Sequence, residues 1–229
     1  MIPSFKVLSG KVFSGCQLAL TAFGAVIVTT PATAHPHVLV EARSEIVFND
    51  ERRVTAVRHI WRFDAAFTAF AIQGLDTNED GVLTQEELQP LAKVNVESLK
   101  EYEFFTYLDV GPVEARFNDP EEYWLDFSDG RLTLFYTLEL ETPLPAAGRQ
   151  SELAVFDPTY FVAFEMTRTD PFVLVDAGEG CALETTLANA PDETTAAQLA
   201  QIPSDVREIP KEFMAVTETL SNTALVRCS

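Results

Sequence analysis

Between Val38 and Phe48 apolar side chains take alternate positions (Val38, Val40, Ala42, Ile46, Phe48), and Val57, His59, Trp61 and Phe63 repeat the pattern. Successive side chains of a strand point to opposite faces, so each run predicts a strand with one buried face. The polar stretch Asn49-Asp50-Glu51-Arg52 predicts the turn of a hairpin. A two- or four-residue loop there sets Val40 opposite Trp61 and His37 opposite Asp64. A slip of one residue would carry the aromatic face of the second strand against the polar face of the first, which argues for that register.

From Asp64 the period changes. Phe67, Phe70, Ala71 and Leu75 recur at helical spacing, and beyond a polar loop Leu88, Leu91, Ala92, Asn95, Leu99 and Tyr102 do so again. Residues 64–102 therefore predict a helix–loop–helix, with Pro90 expected to kink its second helix. Strands are expected over 105–110, 123–128, 131–140, 152–156, 160–166, 172–175 and 182–187, and a short helix over 193–201. Asp129-Gly130 has the residue types of a type I′ turn, which sets Phe127 opposite Leu132 and Leu125 opposite Leu134. Residues 143–148 and 189–192 read as loops. The fold class is α+β: an antiparallel, β-rich, sandwich-like domain with the helix–loop–helix inserted between its second and third strands.

Residues 1–34 stand apart from this pattern. Lys6 and Lys11 precede an uncharged apolar stretch from Val12 to Thr30, and Ala32-Thr33-Ala34 has the small-x-small form of a cleavage site. The segment predicts a secretory signal peptide cut after Ala34, leaving residues 35–229 as one mature, periplasmic domain that begins at His35. In an oxidising compartment the two remaining cysteines, Cys181 and Cys228, are expected to pair and tie the end of the chain to the domain.

Charge narrows the possible partners. Sixteen Lys and Arg against 35 Asp and Glu give a formal net charge of −19, which repels phosphate backbones and disfavours nucleic acid. Divalent cations are the natural partners, and the loop between the two helices carries a pattern for one. Asp76-Thr77-Asn78-Glu79-Asp80-Gly81-Val82-Leu83-Thr84-Gln85-Glu86-Glu87 matches every defined position of the EF-hand calcium loop. Calcium takes six to eight hard oxygen ligands, and alternate residues of a tight loop aim theirs inward. Asp76, Asn78 and Asp80 would supply side-chain oxygens, Val82 its carbonyl, Thr84 a hydroxyl or a bridging water, and Glu87 a bidentate carboxylate. Gly81 permits the bend, Leu83 would tuck the loop against the core, and Thr84 with Glu87 forms a capping box for the second helix. A lone site outside the cytosol is expected to be weak and stabilising, with Kd on the order of 10⁻⁴–10⁻³ M.

The three histidines, His35, His37 and His59, cluster near the expected mature start. The α-amine and imidazole of His35, with His37 on the same side of the strand, suit a nickel, cobalt, copper or zinc ion. Pro36 excludes the amino-terminal chelate that needs two deprotonated amides. Asp64, opposite His37 in the expected register, would be a third ligand or a supporting carboxylate. His59 falls on the apolar face and reads as a core residue. No Gly-x-Ser-x-Gly, Cys–His pairing or phosphate-cradling loop occurs, so the chain reads as a binding protein and not as an enzyme.

His35-Pro36-His37-Val38, Arg58-His59-Ile60-Trp61-Arg62-Phe63-Asp64, the 75–87 loop, Tyr123-Trp124-Leu125, the run 156–164 from Phe156-Asp157-Pro158 to Phe164, and Gly180-Cys181 together resemble an exported bacterial family. That family is catalogued as domain of unknown function 1007. The resemblance implies the periplasmic component of an uncharacterised ABC-type transport system, near a nickel/cobalt-type membrane permease. Joined to the loop, it implies a calcium-binding accessory protein of metal transport, with a transition-metal carrier using His35 and His37 as the alternative.

Overall fold

The alternating runs become strands β1 (Val38–Phe48) and β2 (Arg53–Phe63), paired antiparallel. In the computed structural model, which describes residues 36–199 and 219–229, every second residue of β1 is buried. The leader expected over 1–34, its cleavage site and His35 lie outside the described residues.

The register differs from the expected one by two residues: Val40 faces Phe63 and Ala42 faces Trp61. Two one-residue irregularities add up to this shift. The loop Asp50-Glu51-Arg52 places Arg52 in the left-handed region at φ 57°, so that Asn49 N–H donates to Arg53 O at 3.0 Å in a three-residue bulged turn. A second shift follows between Val47 and Phe48, opposite Thr55. Alternation determines a register only in steps of two, so the apolar faces still coincide.

The helix–loop–helix lies where the periodicity changed, as α1 (Ala65–Ala71) and α2 (Gln85–Leu99). Asp64 caps α1, and the buried Thr68 hydroxyl accepts from Leu132 N–H at 3.1 Å. That contact sets the helix phase and leaves Phe70, expected on the inner face, 75% exposed. α2 buries Leu88, Ala92 and Val96 and continues through Pro90, which has no N–H to donate to the Glu86 carbonyl. A 3-10 segment, Lys100–Phe105, then ends in three consecutive left-handed residues, Glu103, Phe104 and Phe105.

The remaining strands are β3 (Thr106–Val110), β4 (Val113–Glu114), β5 (Tyr123–Ser128), β6 (Arg131–Pro145), β7 (Gln150–Val155), β8 (Val162–Met166), β9 (Phe172–Val175), β10 (Cys181–Thr186) and β11 (Asn222–Cys228). One sheet has the order β5-β6-β2-β1-β8, with β9 also on β1, and the other the order β10-β11-β7-β3-β4. The Asp129-Gly130 turn and the Leu125–Leu134 and Phe127–Leu132 pairs are as expected, with both turn residues at positive φ. Three features were not. β8 and β9 run parallel to β1 in an otherwise antiparallel fold. β6 extends through Pro143 and Pro145 in place of the expected loop, and Leu144 and Pro145 pair with Val54 and Arg53 of β2. β11 was missed because its inward residues are Asn222, Ala224, Val226 and Cys228, a weakly apolar set. The third helix, α3 (Glu193–Leu199), begins where expected, and residues 200–201 lie outside the described residues.

Both sheets contribute to one core. Asn222 of β11 donates to Val155 O at 3.4 Å and to Phe164 O at 3.1 Å, linking the sheets. His59, 1% exposed, does the same through its ring: Nδ1 lies 2.9 Å from Ser44 Oγ and Nε2 3.1 Å from Thr106 Oγ1. Since the Thr106 hydroxyl donates to Phe104 O at 2.8 Å, the imidazole N–H is on Nε2 and the Ser44 hydroxyl donates to Nδ1. Burial holds the His59 pKa down to about 3, against an ordinary value of 6.5. Cys181 and Cys228, opposite each other on β10 and β11, form a disulfide across a sequence separation of 47.

Between pH 6.5 and 3 the unfolded chain binds a proton at His59 that the folded core refuses, so His59 favours folding above this window and loses that contribution as pH falls through it. In urea melts from pH 6 to pH 4, His59→Gln is expected to remove a slope of up to about 1.4 kcal/mol per pH unit. Replacing both Cys181 and Cys228 by Ser is expected to lower stability by about 3–4 kcal/mol, measured by the same melts without reductant.

Candidate functional site

Four side chains expected to hold a cation, Asp76, Asn78, Asp80 and Glu87, curl back onto their own loop. Asp76 accepts from Asp80 N–H at 3.2 Å and from Gly81 N–H at 2.9 Å; Asn78 accepts from Asp80 N–H at 2.9 Å, and Asp80 from Val82 N–H at 2.8 Å. Asn78 Nδ2 also donates to Asp80 Oδ2 at 3.0 Å. This winding needs Gly81 at φ 80°, a conformation that strains residues with a Cβ. Leu75 and Leu83 pack against the core at either side of the loop, while Val82 is exposed.

Glu87 joins the two ends of the loop. Its Oε1 accepts from Thr77 N–H at 3.0 Å and Thr77 Oγ1 at 2.9 Å, and its Oε2 accepts from Thr84 N–H at 3.1 Å. Thr84 Oγ1 accepts in turn from Glu87 N–H, completing the expected capping box. The backbone donors of Thr84 and Thr77 hold the Glu87 pKa down to about 2, so the group is an anion at neutral pH. The part of Thr77 was missed by the sequence reading, since the motif leaves its position undefined. Among the described residues no group of three or more His, Cys, Asp or Glu side chains is gathered to hold a metal ion.

The expected N-terminal site has a different outcome. His35 lies outside the described residues, and His37 stacks on Phe161 with ring centroids 4.6 Å apart. The shifted register places Asp64 by Leu39 and not opposite His37. Asp64 accepts from Leu39 N–H at 2.9 Å and from Ala66 N–H and Phe67 N–H at 2.8 Å each. Burial would raise its pKa, but these three donors outweigh burial and lower it. The carboxylate is committed to joining β1 to the start of α1.

Comparison with known proteins places the chain. The family model "Protein of unknown function (DUF1007)" matches residues 20–228. The chain belongs to this family. Within the DUF1007 chain, 109 residues are 30% identical to the "Uncharacterized 15.5 kDa protein in trpE 3'region" of Spirochaeta aurantia, covering 46% of this chain and 76% of that protein. Among the described residues of the DUF1007 chain no helix is long and apolar enough to cross a membrane.

Thr84→Ala removes the cap at the junction of loop and α2. It is expected to cost about 1 kcal/mol in urea unfolding, with a matching loss of helical circular dichroism.

Proposed function

We propose that the protein is an exported, non-enzymatic calcium-binding protein whose ion site is the EF-hand-like loop from Asp76 to Glu87. One observation carries this reading: the oxygens of Asp76, Asn78 and Asp80, at alternate positions, fold inward around the turn at Gly81 while Glu87 reaches back across the loop. The donor set is oxygen only. Side-chain oxygens of Asp76, Asn78, Asp80, Thr84 and Glu87, with the Val82 carbonyl, match the hard-ligand chemistry of calcium. One short segment supplies three carboxylates, and a divalent cation would draw them together and offset their mutual repulsion. Folding supports the reading because Thr84 and Glu87 serve the α2 cap and the ligand set together, which couples ion binding to helix stability.

For the cellular setting, the family resemblance and the acidic composition support a periplasmic accessory to a membrane metal permease of nickel/cobalt type, released from its leader after Ala34. Calcium in this reading stiffens the helix–loop–helix, and the transported metal is a separate species.

Millimolar Ca²⁺ is expected to raise the Tm of the metal-free protein by about 3–5 °C, the shift due to a ligand present at roughly ten times its Kd. Glu87→Gln should abolish the shift whatever its own starting Tm. An unchanged Tm for the parent protein over the same titration overturns the proposal.

A further inference from the structure

Beneath α2, against the inner face of β1 and β2, lies a cavity of about 200 Å³. Its floor is apolar and buried, with Val40 and Trp61 1% exposed, Phe105 5% and Phe63 6%. Its mouth follows the end of α2, where Asn95 is half-buried and Ser98 and Tyr102 are exposed. Asn95 is the polar member of an inner stripe otherwise made of Leu88, Leu91, Ala92 and Leu99. Its amide is half used: Nδ2 donates to Leu91 O at 2.9 Å. A carbonyl acceptor there requires the nitrogen on that side, so the other end is Oδ1, which accepts from none of the described residues. Ser98 donates its hydroxyl proton to Val94 O at 2.8 Å and keeps only lone pairs to offer. Residues three apart on a helix are neighbours, so Asn95 Oδ1 and Ser98 Oγ can address one head group.

Elsewhere in the wall, Asp157 accepts from Thr159 N–H and Oγ1 at 2.8 Å each and from Val162 N–H at 2.9 Å. Thr159 thereby spends its own hydroxyl proton. Acceptor oxygens predominate among the polar groups, and among the described residues no Lys, Arg or His lines the cavity. An apolar pocket with a few convergent polar groups is the usual form of a small-molecule site. Phe105, in the floor, also ends the run of three left-handed non-glycine residues at φ 51°, 53° and 50°. Such backbone persists only where the surroundings enforce it, and it concentrates at binding sites.

We propose that this cavity binds a small primary ammonium ion carried on an aromatic or branched apolar body. The body lies against Val40, Phe63 and Phe105, and the ammonium sits at the mouth, donating to Asn95 Oδ1 and Ser98 Oγ. An ammonium has three donors and no acceptor, the complement of this mouth. It keeps its outer side in water there, so no unpaired charge is buried. The volume sets the size: an apolar cavity of roughly 150 Å³ admits benzene, so about 200 Å³ admits a ring with roughly two or three further heavy atoms. The ring walls select an apolar body. A wall without cationic side chains and a net charge of −19 favour a cation over a carboxylate. The site is independent of the calcium loop and uses none of its residues.

Phenethylamine, ethylbenzene and phenylacetate share an apolar body and differ in the head, which is a cation, absent and an anion. They are titrated into the purified protein with a calcium chelator, so that the two proposals fail separately, and at about 0.15 M salt to screen the diffuse charge of the chain. Phenethylamine is expected to bind with one-to-one stoichiometry in calorimetry, and phenylacetate at least about tenfold more weakly. Intermolecular nuclear Overhauser effects should connect its ring protons to the Val40 methyls. In Asn95→Leu, which keeps a good helix former, the phenethylamine-to-ethylbenzene affinity ratio should fall about tenfold. Leu99→Trp, which fills the cavity, should abolish binding of both. Absence of saturable phenethylamine binding overturns the site, as does binding without contacts to Val40. An unchanged ratio in Asn95→Leu overturns the head-group contact, and equal affinity for phenylacetate overturns the charge selection. These readouts decide the matter even if Leu99→Trp does not fold.

Discussion

The neutral imidazole of His59 is the interaction on which the two-sheet arrangement depends. It sits in the core with one nitrogen on Ser44 of β1 and the other on Thr106 at the start of β3, so one ring spans both sheets. Either hydroxyl alone would leave half of a buried imidazole unsatisfied, and a protonated ring would place a charge in a low-dielectric interior. Around it the rings close ranks: Tyr136 stacks on His59 at 4.9 Å, and Trp61 meets Tyr136 edge-on at 5.0 Å and Phe164 at 4.8 Å. A polar residue at the centre of an aromatic cluster is tolerable only because both of its ring nitrogens are bonded.

That bridge has consequences for the inserted helices. To bring Thr106 to His59, the chain leaving α2 must turn sharply, and it does so through the left-handed residues Glu103, Phe104 and Phe105. The turn places the Phe104 carbonyl against the Thr106 hydroxyl and Phe105 against Trp61, so local strain is offset by core contacts. The cavity under α2 lies at the same junction, lined by Leu99 at the end of the helix and by Phe105. The acidic loop lies at the other end of α2, anchored by Leu83 and by the Thr84 cap.

The candidate site was legible to different degrees for physical reasons. The acidic loop is local: a dozen consecutive residues carry every defined position of its pattern, so spacing alone displays it. The N-terminal constellation depended on a strand register, and there alternation misled. Two bulges moved the pairing by two residues, leaving every face correct while taking Asp64 away from His37. Asp64 then proved to be a cap that also fastens β1. The Trp61 cavity left no sequence signal, because its walls come from segments spread between residues 38 and 162. An apolar residue lining a void and one filling a core look alike along a chain.

By itself the sequence determined the identity and facing of most elements: the alternating strands, the change to helical period at Asp64, the Asp129-Gly130 turn, the Thr84–Glu87 cap and the pairing of Cys181 with Cys228. Most of these follow from interactions between near neighbours; the cysteine pair was expected on the reading that a leader carrying Cys16 is removed. Tertiary structure alone decided which strands adjoin, including the parallel β8 and β9 on β1, the hairpin register, the exposure of Phe70 and the weakly apolar β11. Each of these is settled by competition among long-range partners. Such competition turns on shape, on buried donors such as those of His59 and Asn222, and on the accumulated effect of single-residue bulges, none of which a local pattern of apolar positions records.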